Sequence, residues 1–231
     1  MIKFENTEVF NFEGALRGMR NPLNSWDKSD SVPISEDTDC TDECYLGNHN
    51  KCEDCYKTSI VGYILGEKDL DLAQKLIKAG SDHRKFMRQI FVSVDITAPL
   101  YWWKEFDTYK VATVANSCST MHKIHDKEFT LEDFSYDQLT DSGLKRLYQT
   151  IAYLNEAREW YLETKNKSYW WDMIQLLPSS YNQRRTITLN YETLYNIYGS
   201  RRNHKLDEWS IGFMEWIKSL PYANELIIDR S

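Results

Sequence analysis

The chain has 231 residues, enough for one full domain or one domain with a small appendage, and 14% of them are aromatic. Aromatic side chains each bury much area, so a sizeable core is expected. A net charge of −7 argues against non-specific nucleic-acid binding, which depends on Lys and Arg neutralising phosphates, but leaves room for a local basic pocket around a small anion.

The first residues, MIKFENTEVFNF, have no cationic head followed by an apolar run, and no stretch approaches the length of a membrane span. A soluble, cytoplasmic protein with neither membrane nor nucleic acid as partner is the expectation. Residues 4–20 read as a short strand leading into a turn of helix that ends in Arg17 and Arg20. From Asn21 onward the composition shifts to Ser, Asp, Asn, Pro and Cys, which places an irregular, Cys-rich insertion at 21–60.

From Glu67 the pattern turns helical, with Leu70, Ala73, Leu76 and Ile77 at three- and four-residue steps and Gly80 as a stop. IFVSVDI (90–96) reads as a strand closed by Pro99, LYWWKEFDTY (100–109) as a helix, and KVATVANS (110–117) as extended or mixed. Thr140 to Thr164 reads as a helix with Leu144, Leu147, Ile151, Leu154 and Ala157 along one side. Further helices are expected near Tyr169–Leu177, Leu189–Tyr198 and Leu206–Leu220. No internal repeat is visible, and the order is that of an α+β protein with a helix-rich C-terminal half.

Cys40, Cys44, Cys52 and Cys55 are spaced C-x3-C-x7-C-x2-C, and their surroundings are almost devoid of apolar residues. Paired short spacings let four thiolates converge on one tetrahedral ion, so a structural zinc is one reading. A loop with reduced cysteines is the second and a disulfide pair the third. None of these makes the cluster catalytic.

The central segment carries a basic patch of His83, Arg84, Lys85 and Arg88, then a strand, an aromatic helix and a run of small hydroxyl and amide residues. Such groups suit phosphate or ribose contact. The bland alternative makes Trp102 and Trp103 core, Lys104 and Glu105 solvated, and Thr113 and Ser119 turn caps. Cys118 reads as a small buried residue before it reads as a nucleophile. His122 and His125, with no carboxylate or cysteine at helical spacing, read as surface or core histidines.

The spacing of this segment resembles the flavin-dependent thymidylate synthases, whose signature is RHRxxSxNxxSxR preceded by a Glu-His pair. Asp82 and His83 stand at that pair, with Phe86 three residues on, and Glu105 stands at the family's Gln. Thr108, Tyr109 and Lys110 fall on the Arg-His-Arg, Thr113 on the first Ser, Ala115 on the Asn, Cys118 on the second Ser and Thr120 on the final Arg. Leu177-Pro178 and then Asn190, Leu194, Asn196 and Arg201 match the family's C-terminal helix in the same frame, so the resemblance covers roughly residues 63–220.

The resemblance implies a single thymidylate synthase-like domain over 1–231 with a central antiparallel sheet. It implies a homotetramer with active sites between subunits, and FAD as cofactor. His83, Arg88, Lys110, Thr113, Asn190, Asn196 and Arg201 are the nucleotide contacts it implies, and Tyr109, Lys110, Asn116 and Asn196 the flavin contacts. The cationic signature is largely replaced, however: of its arginines only the Lys110 position keeps a positive charge. Two functions follow from the resemblance, an FAD-dependent methyltransferase acting on dUMP, and a non-catalytic, phage-encoded protein that senses or sequesters a nucleotide. A third treats the cysteine cluster as a zinc-stabilised interaction surface.

Overall fold

The computed structural model describes residues 2–33 and 62–229. The strands are β1 (Lys3–Phe10), β2 (Val32–Pro33), β3 (Tyr63–Ile64), β4 (Phe91–Pro99), β5 (Val114–Ser117) and β6 (Asn182–Asn190). The helices are α1 (Phe12–Arg20), α2 (Glu67–Lys78), α3 (Leu100–Phe106), α4 (Asp141–Thr164), α5 (Lys167–Gln175), α6 (Tyr191–Arg201) and α7 (Met214–Lys218). A central antiparallel sheet has the order β1-β4-β6-β5, and β2 pairs with β3 separately, so the class is α+β as expected. Among the described residues, no helix is long and apolar enough to cross a membrane.

The chain divides into two compact units. One comprises Met1–Glu5, Asp95–Tyr109 and Ala115–Thr186; the other comprises Asn6–Val94, Lys110–Val114 and Ile187–Ser231. In the first, α4 and α5 form a helical hairpin. Lys165, with φ 57°, makes the left-handed turn between them, and Thr140 and Asn166 cap their N-termini. Leu147, Ile151, Leu154 and Ala157 lie on the inner stripe of α4 and pack with Met173 of α5 and with Ile124, Phe129 and Phe134. Trp102 and Trp103 of α3 are fully buried, which bears out the core reading, and the Trp103 indole N–H donates to the Gln183 carbonyl at 2.9 Å.

The second unit is organised around one carboxylate. Asp69 is completely buried in the first turn of α2, where it accepts from Arg20 Nε at 2.5 Å, the Ser29 hydroxyl at 2.7 Å, the Ser31 hydroxyl at 2.6 Å and the Ser31 amide at 3.1 Å. Burial pushes this carboxyl up, but the hydrogen bonds from Ser31, Ser29 and Arg20 outweigh it and hold it below the usual range. The neighbouring Asp30 carboxylate accepts the Lys68 and Asp69 amides at 2.9 and 3.1 Å, capping α2 from a distant part of the chain. Gly66 permits that approach, because a Cβ there would lie 2.3 Å from Asp30.

Several boundaries depart from the sequence reading. Residues 182–190, not expected as a strand, form β6, so the helix expected from Leu189 begins at Tyr191 and runs to Arg201. The α3 helix stops at Phe106, short of Tyr109, and the helix expected from Leu206 is a wider π-helical turn over Glu208–Phe213 continued by α7. The start of the expected irregular insertion is ordered: Asn21–Leu23 and Trp26–Lys28 are 3-10 turns, and β2 pairs Val32 with Ile64 and Pro33 with Tyr63. Its cysteines, Cys40, Cys44, Cys52 and Cys55, and with them the zinc reading, lie outside the described residues.

Asp69→Ala strands the buried Arg20 guanidinium and is expected to cost about 3–5 kcal/mol, read from the urea midpoint. A loss below about 1 kcal/mol would mean that the pair is solvated. Replacing residues 34–61 by a single Asn creates an Asn-Gly turn with Gly62, whose φ is already +62°. The shortened protein is expected to keep cooperative unfolding and the parent's circular dichroism.

Candidate functional site

The signature-matching segment has little apolar anchorage. Val111 is 86% exposed, and Lys110, Asn116, Ser117 and Cys118 are exposed. The Thr113 hydroxyl is the exception, a buried oxygen with no hydrogen-bond partner. Cys118, expected to be buried, is therefore corrected to an exposed thiol; its chain segment is fixed by backbone instead. The Cys118 amide donates to the Arg184 carbonyl at 2.9 Å, and the Gln183 side-chain amide donates to the Cys118 carbonyl at 2.7 Å. Ser119 does cap a turn, accepting from the His122 amide at 2.9 Å.

Cys118, Ser119 and Thr120 line a pocket of about 300 Å³ together with Tyr181, Gln183 and Arg184. Burial, with the nearby Asp133 and Cys118 groups, pushes the Tyr181 phenol up, still further from ionisation at neutral pH. Arg184 was not singled out from the sequence. It bonds to Asp95 at 2.7 Å and pairs with Glu5 at 3.4 Å, while Lys127 on the same pocket bonds to Asp133. Its only sequence signal is the Arg-Arg pair inside the alternating QRRTITL run.

The other unit holds a second pocket of about 550 Å³, and here His83 is found. Met19, Leu23, Leu76 and Phe86 make its apolar wall, and His83 with Lys85 its polar edge. Close by in sequence, Arg84 and Arg88 both bind the largely buried Glu192 of α6, Arg84 Nε at 3.2 Å, and Arg84 also lies over the Tyr195 ring at 4.4 Å. Burial pushes the Glu192 carboxyl up, but the hydrogen bonds and charge of Arg88 and Arg84 win and hold it below the usual range.

The remaining expected contacts are placed as follows. Asn190 is buried as the N-cap of α6, its side-chain oxygen accepting from the Thr193 amide at 2.9 Å. Asn196 is exposed on the same helix. Arg201 is half-buried, with its guanidinium 5.0 Å from the Trp209 ring centre. Tyr109 packs its ring 6.4 Å from that of Phe106. His122 is exposed, and His125 is half-buried with its Nδ1 unpartnered. Among the described residues, no group of three or more His, Cys, Asp or Glu is placed to hold a metal.

This arrangement of sheet, helical hairpin and C-terminal helices is the fold of the flavin-dependent thymidylate synthases. The crystal structure of thymidylate synthase X from Helicobacter pylori with FAD and dUMP is similar at a TM-score of 0.58 and 15% identity, covering 96% of this chain and 97% of that one. A second structure of the Helicobacter pylori flavin-dependent enzyme, complexed with FAD and dUMP, gives 0.58 at 16% identity, covering 95% and 97%. No family model matches the sequence, and no curated protein matches it. The likeness is one of fold.

Glu192→Gln is expected to lower stability by about 1–3 kcal/mol at neutral pH. The folded carboxyl titrates below its unfolded value, so its stabilisation is complete above about pH 4.3 and is lost as pH falls through the lower folded value. Urea melts of the parent and variant should therefore differ by a constant amount at neutral pH and converge in acid. A gap that widened in acid would reverse the assignment.

Proposed function

We propose that this chain is a divergent thymidylate synthase-like protein that binds a deoxyuridine nucleotide. One observation carries the reading. The Arg184 carbonyl in β6 holds Cys118, and Cys118 and Thr120, the two last signature positions, line one pocket with Arg184, on a fold whose solved counterparts contain FAD and dUMP. Arg184 and Thr120 with Tyr181 would contact the ligand in one pocket; His83 and Lys85 would line the other. Thr113, Lys110, Asn190, Asn196 and Arg201 remain the contacts that the resemblance adds.

The residues present fit FAD poorly. Of the four positions assigned to flavin, Tyr109, Lys110, Asn116 and Asn196, only Lys110 is cationic, and Lys110, Asn116 and Asn196 are exposed. A dinucleotide pyrophosphate takes charge-assisted, often bidentate, donors, and Arg84 and Arg88 are already committed to Glu192. Binding without turnover is therefore the first reading, and no reaction step is assigned through flavin. Retained FAD-dependent methylation of dUMP is the second, favoured by a likeness that spans nearly the whole of both chains. A homotetramer accompanies either reading.

Calorimetric titration with dUMP should show saturable heat, and the purified protein incubated with FAD and desalted should lack flavin absorbance. No heat with dUMP or with deoxyuridine would sink nucleotide binding. Stoichiometric flavin would move the protein to the enzymatic reading.

A further inference from the structure

We infer that the pocket beside Cys118 receives the uncharged nucleoside portion of its ligand, and that a 5′-phosphate adds almost nothing to the affinity. The inference rests on the nucleotide reading above and concerns which part of the nucleotide the protein recognises. Two cations face the pocket, Arg184 and Lys127. Four carboxylates meet them: Asp133 bonds to Lys127, Asp95 and Glu5 pair with Arg184, and Glu132 lines the pocket wall. The local balance is negative before any ligand arrives.

A phosphate dianion entering this pocket would meet cations already neutralised, Arg184 by Asp95 and Lys127 by Asp133, and those two carboxylates are largely buried, at 15% and 12% exposed. Held in place by Thr186 and Thr130 as well, they stay beside the cations and repel a second anion. At the position where the resemblance calls for a third cation the chain has Thr120, a neutral hydroxyl. In the other unit, Arg201 lies against the Trp209 ring.

What the pocket does offer is neutral hydrogen-bonding capacity. Thr120 and Thr97 bring hydroxyls, Tyr181 a phenol, and Asn182 a side-chain amide whose oxygen accepts from Ser135 at 2.8 Å. Groups of this kind can donate to and accept from the imide edge of a pyrimidine and the hydroxyls of a deoxyribose. A volume of about 300 Å³ suits such a moiety.

The test is calorimetry on the full chain with deoxyuridine, dUMP and inorganic phosphate, at about 50 mM and about 300 mM salt. Deoxyuridine and dUMP are expected to bind within about threefold of each other, with little change between the two salts and no heat from phosphate alone. If dUMP binds more than about threefold tighter and weakens with salt, the inference is overturned while the nucleotide reading stands. If neither compound binds, both fall. Glu132→Lys supplies an independent check: dUMP should gain severalfold more affinity than deoxyuridine does, and an equal change in both would overturn the charge argument.

Discussion

A buried carboxylate must collect donors, and Asp69 collects them from a stretch that lies 38 to 49 residues earlier in the chain. Arg20 at the end of α1 and the serines at 29 and 31 all converge on it, while Asp30 returns the favour by capping the helix that carries it. Without that exchange α2 would start with bare amides, and the polar stretch after α1 would have little apolar surface to hold it in place. The apolar contacts of the unit, such as Phe12 against Tyr191 with rings 5.6 Å apart, then pack against a frame that is already set.

The same economy of charge governs the candidate pockets. With an excess of acidic residues, the chain surrounds its cations with carboxylates: Arg84 and Arg88 with Glu192, Arg184 with Asp95 and Glu5, Arg185 with Asp107 at 2.7 Å. Arginines that a sequence reader would offer to a phosphate are thereby occupied within the protein. The charge of the scaffold is turned inward. At 15–16% identity the likeness to the solved structures is one of shape, since core volume and strand order tolerate substitution far better than a bidentate anion site does.

The long α4 was legible because its apolar stripe repeats from Leu144 to Ala157, about four turns, and the α3 tryptophans because a WW pair in an apolar run has few places to go but inward. Strand β6 was not. QRRTITLN alternates, but its two arginines and its junction with a helix blur the pattern, and what makes it a strand is pairing in the sheet. Arg184 was missed for a related reason: its position beside Cys118 is set by a backbone hydrogen bond spanning more than sixty residues, which no local motif announces. Asn190 was noticed for its place in a motif, and the structure gives it the additional and more ordinary duty of capping α6. The thiol of Cys118 was misjudged because a hydroxyl-sized residue in a signature was assumed to lie inside.

The pairing of Pro33 with Tyr63 brings the two sides of the insertion within one strand spacing of each other. For the rest of the chain, the two ends of the intervening sequence are already closed on each other. Closure entropy grows only with the logarithm of loop length, so doubling such a segment costs the fold roughly 0.6 kcal/mol. A change in the length of sequence between Pro33 and Tyr63 is therefore expected to have hardly any effect on the stability of the units that flank it.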